Sequence, residues 1–220
     1  MIHSKRVFPY VIMALLCGAH TPVALAGDLI MTVRDSSGQP VTDAVVTVKR
    51  KNAPLPAIKP GSSQPHKIDQ KDTAYHPAVS VIPVGAQVQF VNSDSWGHHV
   101  YSFSKAKKFD LTVAANRTSA PILFDTPGVA VIGCNIHDRM LAYIYVNGDG
   151  QPAKTDKSGS ARFLGLPAGD YTVSAWHPML RSKRKRPTIE VTVRTDGETG
   201  ADIAVDLKRQ GKKKRKKYRY

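Results

Sequence analysis

Cysteine is scarce in this chain. There are two in 220 residues, and Cys17 falls in an N-terminal stretch with the signature of a removable leader. Lys5 and Arg6 form its positive start, an apolar run from Val7 to Leu16 follows, and Ala24-Leu25-Ala26 offers a small-x-small cleavage site before Gly27. The sequence therefore predicts a signal peptide over 1–26 and export to an oxidising compartment. Leu16 argues against a lipoprotein cut at Cys17, which needs a small residue there. The mature chain then keeps one cysteine, Cys134, which excludes an intramolecular disulfide. A lone thiol in such a compartment is a liability unless it is buried or ligated.

Long apolar runs are also missing. The run at 7–16 is too short to span a bilayer comfortably, and no amphipathic helical period or internal repeat stands out beyond the leader. Acid is short as well, with 17 Asp and Glu against 32 Lys and Arg, a formal net charge of +15. That excess is local. Residues 208–220 hold nine Lys or Arg and no acid, and Arg181-Ser182-Lys183-Arg184-Lys185-Arg186 holds five more. The remainder is close to neutral, so the charge describes a tail and a loop rather than a basic domain.

What is present is glycine, proline and short β-type runs, with 16 Gly and 15 Pro. Leu29–Arg34 and Ala44–Lys49 flank the turn Asp35-Ser36-Ser37-Gly38. Residues 51–66 contain four prolines and read as a linker or an extended edge. Val79–Ile82, Gln87–Val91, His99–Phe103, Ile122–Phe124, Val129–Ile132 and Leu141–Val146 read as strands separated by turn signals. Ala161–Leu164, Tyr171–Trp176, Thr188–Val193 and Asp202–Leu207 follow in the same manner. Short strands at this spacing predict an all-β chain built of sandwiches or barrels.

The chemistry concentrates in Gly133-Cys134-Asn135-Ile136-His137-Asp138-Arg139-Met140, a loop between two predicted strands. It carries a thiol, an imidazole and a thioether. Two His and one Cys with a weak axial Met form the donor set of copper electron-transfer sites. Zinc fits less well, since a thioether is a poor zinc ligand and no second thiolate exists. The second histidine comes from Asn92-Ser93-Asp94-Ser95-Trp96-Gly97-His98-His99-Val100. His98 and His99 alternate to opposite faces of an extended strand, so chemistry alone leaves the choice between them open. Met140 has a competing role as core filler, and Asp138 and Arg139 read as solvated loop charges.

Residues 79–146 resemble the cupredoxins, the blue copper proteins. The Cys-x-x-His-x-x-Met spacing of Cys134, His137 and Met140 is most similar to the amicyanins, in which an Asn lies six residues before the first His ligand and a Val two after it. Asn92, His98 and Val100 match. The resemblance implies one type 1 copper ion on His98, Cys134, His137 and Met140. It also implies that Asn92 ties the two loops together and hydrogen-bonds toward the thiolate. The wider chain resembles bacterial proteins labelled methylamine utilisation proteins through His98–Ser104, Phe124–Val129 and the 133–140 loop, a label that sets no substrate. Residues 156–177, with 29–49, resemble the carboxypeptidase regulatory-like, transthyretin-like β-sandwich.

The expected organisation is a signal peptide (1–26), a first hairpin of the regulatory-like sandwich (27–60), a Greek-key cupredoxin sandwich (67–146), the rest of the first sandwich (147–207) and a basic disordered tail (208–220). Insertion of one unit at a loop tip of another is physically well tolerated. Nothing supplies a nucleophile–base pair, and Trp176-His177 reads as an exposed strand end. The expected function is that of a periplasmic one-electron carrier with a redox partner protein, not an enzyme. The alternatives are copper storage or delivery, and an open copper site with an oxygen ligand from Asp94 or Glu190. The tail, Lys208–Tyr220, suits an anionic membrane surface or an acidic partner. Export argues against nucleic acid.

Overall fold

The computed structural model describes residues 26–55, 64–137, 139–182, 185–195 and 197–208. The predicted leader (except Ala26), Asp138 and the tail beyond Lys208 lie outside them. The described residues form sixteen strands and no helix. The chain is all-β.

The strands close two hydrophobic cores. In the first, β1 (Ala26–Asp35) buries Leu29, Met31 and Val33 at every second position, the period of a strand with one face on a core. β2 is Val45–Arg50, β12 is Gln151–Lys154, β13 is Ser160–Pro167, β14 is Gly169–Trp176, β15 is Thr188–Val193 and β16 is Glu198–Val205. They form one sheet in the order β13-β1-β16 and another in the order β12-β2-β14-β15. Val46, Val48, Phe163, Tyr171 and Val173 meet β1 between the sheets.

The chain between β2 and β12 closes the second core. Its strands are β3 (His66–Lys71), β4 (Ala74–His76), β5 (Val79–Pro83), β6 (Ala86–Asn92), β7 (His98–Ser104), β8 (Lys107–Val113), β9 (Ile122–Phe124), β10 (Gly128–Cys134) and β11 (Leu141–Asn147). The sheets run β5-β11-β10-β7-β8 and β4-β3-β6-β9. Ile68, Phe90, Phe124, Ile132 and Ile144 pack between them, and Cys134 and Met140 belong to the same cluster. Four of these sixteen strands are absent from the sequence expectation: β3, β4, β8 and β12. β3 has one buried aliphatic residue, Ile68, and a buried Gln70, too little for a hydrophobic pattern. β8 does alternate, with Phe109, Leu111 and Val113 against Lys108, Asp110 and Thr112, and its lysines mask the period.

The two sandwiches meet along a seam. Val45, Val79 and Tyr145 are buried there, with Val129, Tyr143 and Trp176 packed against them. Trp176 is therefore no exposed strand end. Its ring lies 5.6 Å from that of Tyr145 and 6.1 Å from that of Tyr143. The other sandwich covers the outer face of β14 at this point. Gly150 turns the chain from β11 into β12 at φ +72, where an added Cβ would lie 2.5 Å from the Val48 carbonyl oxygen. Both facts call for glycine.

His66 also borders this seam, with Nε2 2.9 Å from the Ser80 hydroxyl. Burial holds its imidazole below the usual histidine range, and the nearby Lys154 charge adds to this. A histidine kept neutral by the fold binds its proton more readily in the unfolded chain. Its contribution is thus complete above the unfolded value near about 6.5 and is lost as pH falls from there toward the folded value. His177 shifts in the same direction, mainly through burial. We expect urea denaturation of His66→Gln to show a shallower loss of stability between neutral pH and pH 5 than the parent. An unchanged slope would remove His66 from the acid response.

Candidate metal centre

The centre sits where two loops leave the second core. β6 ends at Asn92 and the chain crosses to the five-stranded sheet at His98. β10 ends at Cys134 and β11 begins at Leu141. In the β7–β10 ladder Cys134 lies opposite Val100. His98 precedes Val100 by two residues, so it shares the inner face and becomes the diagonal neighbour of Cys134. His98 is fully buried and Cys134 is 4% exposed. His99 points the other way and pairs with Asp110 on the outer face. Strand alternation thus selects His98 over His99.

His137 comes from the short loop after Cys134, whose end is closed by the Met140 N–H donating to the His137 carbonyl at 2.9 Å. The Cys134 Sγ lies 3.8 Å from His98 Nδ1 and 3.8 Å from His137 Nδ1. All three donor atoms lie within 4.8 Å of one another, the one such group of His, Cys, Asp or Glu among the described residues. An ion at ordinary lengths, about 2.0 Å to nitrogen and about 2.3 Å to sulfur, spans a 3.8 Å N···S pair at roughly 120°. A thiolate and two imidazoles with a thioether beside them suit copper, whereas a thioether is a poor ligand for a closed four-donor zinc site. The residues fit the metal. Met140 is 1% exposed within the same cluster.

Asp94 is the residue whose role the sequence did not reveal. Its Oδ2 lies 2.8 Å from His98 Nε2, on the side of the ring away from the thiol. This bond leaves Nδ1 free to face Cys134, so the carboxylate sets both tautomer and ring orientation. Asp94 also accepts the N–H groups of Asp72 (2.7 Å) and Thr73 (3.2 Å). Burial pushes its carboxyl up, but the hydrogen bonds from His98, Asp72 and Thr73 outweigh this and hold it below the usual carboxylate range. An acid four residues before a candidate ligand histidine was the available signal. Neither proposed oxygen donor reaches the site: Asp94 serves the far edge of His98, and Glu190 pairs with Lys51 in the other sandwich.

Asn92 is buried, and its bonds tie the His98 loop to the end of β8 rather than to the cysteine loop. Its Nδ2 donates to the carbonyls of Trp96, Val113 and Ala114, and its Oδ1 accepts the Asp94 N–H. These bonds join the ends of β6 and β8 to the start of β7. None of them goes to the Cys134 sulfur. Tyr75, from β4, donates to the Gly133 carbonyl at 3.0 Å, and burial, with lesser effects of Cys134 and Tyr101, raises its hydroxyl pKa well above the usual value. On the opposite side of Gly133 lies Tyr101: a Cβ added to Gly133 would sit 2.7 Å from its ring. Cys134 is thus held by two tyrosines through the residue before it. No sequence signal marked either one, because both come from other strands.

His137 is only half-buried, and Trp96 and Ile136, both well exposed, lie in the two loops around it. The described arrangement is a dry thiol–imidazole pair with one imidazole toward solvent.

No protein-family model matches the chain, and no curated protein sequence does. Solved structures do. A copper-containing nitrite reductase from Thermus scotoductus is 25% identical over 43% of this chain, with a TM-score of 0.37. The match spans 25% of that enzyme's length. A purple cupredoxin from Nitrosopumilus maritimus is 22% identical, over 37% of this chain and 99% of its own, with a TM-score of 0.33. An amicyanin variant in its Cu(I) form is 16% identical, over 46% of this chain and 98% of its own, with a TM-score of 0.35. The functional reading stands on the site's own geometry.

Proposed function

We propose that the chain is an exported type 1 copper protein that carries single electrons in a periplasmic redox chain and catalyses no bond-breaking reaction. The observation that carries this reading is the convergence of two imidazole Nδ1 atoms, one buried and one half-buried, on the Cys134 sulfur, each at 3.8 Å. His98, Cys134 and His137 would hold the ion, with Met140 as the weak axial donor. Copper bound there would supply a one-electron couple. The thiolate and thioether favour Cu(I), and imidazole suits both oxidation states.

The chain's own residues do the rest. Two sheet-anchored loops hold one donor geometry. Asp94 and Asn92 lock the first loop, and Tyr75 with Tyr101 brace the second. A geometry held this way changes little between oxidation states. The half-buried His137 edge, beside Trp96 and Ile136, is the route by which electrons pass. A storage or delivery protein would need donors that open. Here His98 is fully buried and clamped on its far edge, which favours the carrier. We assign the regulatory-like sandwich a supporting, non-catalytic role.

The test is a visible absorption and EPR spectrum of the mature protein loaded with Cu(II). An intense thiolate-to-copper band with small copper hyperfine splitting is expected. A weak spectrum with large splitting would mean adventitious histidine binding and would end the redox reading. Rapid copper loss to an apo acceptor would favour delivery instead.

The export reading rests on the leader at 1–26, and we assign the basic tail to docking on an anionic membrane surface. Binding to anionic vesicles should fall steeply with salt and vanish on deletion of 208–220. Binding indifferent to salt would count against that role.

A further inference from the structure

The five-stranded sheet of the second core leaves part of its outer face bare. The ladder between β7 and β10 holds two pairs, Gly133 with Tyr101 and Cys134 with Val100. On the outer face the next pair would be Val131 with Phe103, but the strands have parted there, and the Val131 N–H bonds to the Ser104 hydroxyl at 2.9 Å instead. The opening is a depression of about 320 Å³ lined by Tyr101, Phe103, Ser104, Val131, Gly133 and Leu141. Phe103 is 74% exposed, Leu141 47% and Val131 41%. Large apolar side chains grouped in this way mark an interaction surface.

Its floor reaches the residue that precedes Cys134. Tyr101 lies on the Gly133 backbone, one peptide bond from Cys134. Its rim is basic. Lys108 pairs with Phe103 across the β7–β8 ladder. Lys105 is exposed in the turn beside it, and exposed Arg139 precedes Leu141 by two residues. Among the described residues the acid on this face is Asp110, which is paired with His99.

We propose that this face is a second docking port, distinct from the His137 edge. Its partner is an acidic redox protein that seats a protruding apolar side chain in the depression and exchanges one electron with the centre through Tyr101, Gly133 and Cys134. The inference rests on the copper reading above. The partner is oxidised by one electron as the centre is reduced by one, or the reverse, and no proton or group is transferred. The basic rim disfavours a second copy of this chain, which would bring like charges together. The depression accepts a protruding side chain, which a flat lipid surface does not present.

The probe is cytochrome c with succinylated lysines. Titrated into the metal-free protein, it should shift the amide resonances of Tyr101, Phe103, Val131 and Leu141, and Phe103→Ser should weaken binding by about tenfold or more, as expected for an exposed aromatic anchor. In the copper-loaded protein the same variant should slow electron exchange with this probe by a similar factor. Its absorption spectrum and its rate with ferrocyanide should stay unchanged. Unmodified, basic cytochrome c should bind far more weakly. Shifts centred on Trp96 and Ile136 would overturn the second port while leaving the copper reading intact. If Phe103→Ser loses binding to phosphatidylglycerol vesicles but keeps full affinity for the probe, the face belongs to lipid and the proposal fails. A parent protein without the thiolate–copper band would fail the copper reading, and the metal-free titration would still judge the docking face.

Discussion

Replacing Cys134 with serine should erase the intense visible band of the Cu(II)-loaded protein and weaken Cu(I) retention more than any other single change. Sulfur is the one soft anionic donor in the cluster. A serine hydroxyl stays protonated near neutral pH and offers a hard oxygen that Cu(I) binds poorly. Loss of a mere supporting partner typically weakens a metal site by roughly 10–100-fold, and loss of the thiolate should exceed that. The fold should survive. Cys134 is 4% exposed, the side chains are similar in size, and His98 and His137 offer ring nitrogens to a hydroxyl. The metal-free variant should therefore lose about 1 kcal/mol or less in urea denaturation, a typical cost for a mild buried substitution. Absorption, Cu(I) competition with a chelator, and urea titration measure the three quantities. An intense band that persists in the serine variant would show that the sulfur is not a ligand.

Asp94→Ala should carry the next largest effect, and it should appear with and without metal. Removing the carboxylate strands the fully buried His98 Nε2, at a cost of about 1–3 kcal/mol for an unsatisfied buried polar group. The same carboxylate holds the β3–β4 turn. Asp72 and Thr73 both sit at positive φ, +54 and +57, a conformation that costs side-chain-bearing residues about 1–2 kcal/mol each. Asp94 accepts both of their N–H groups. These two residues are exposed, so water can replace much of that bonding. We expect a net loss of about 2–4 kcal/mol in the metal-free protein and a further drop in copper affinity of about 10–100-fold. Asp94→Asn keeps one carbonyl acceptor and should fall between parent and alanine. Wild-type values for the alanine variant in both urea denaturation and chelator competition would show that the His98–Asp94 contact orients nothing.

The loop from Cys134 to Met140 was legible because three of its donors are close in sequence, and a short loop keeps its residues together whatever the fold. The β-strands around it were legible where apolar residues alternate, as in β1 and β14. They were hidden where polar residues are buried, as with Gln70 in β3, or where lysines interrupt the alternation, as in β8. Asn92 was picked out by its distance from His98. Its partners were not, since they lie on β8 and in the Trp96 loop.

The amino-acid sequence by itself determined the all-β class, the single cysteine beyond residue 26, and the thiol–imidazole–thioether loop. Each of these follows from composition or from neighbours along the chain. Tertiary structure alone decided that His98 turns inward and His99 outward, because only the register of β7 against β10 sets which face is the core. It alone decided that Asp94 clamps His98, that Tyr75 and Tyr101 brace Gly133, and that β7 and β10 part beside Phe103. It also decided that β1 pairs with β13 and β16, well over a hundred residues away. Such contacts join strands distant in sequence, and the energies that select them are shared across whole sheets, so no local pattern records them.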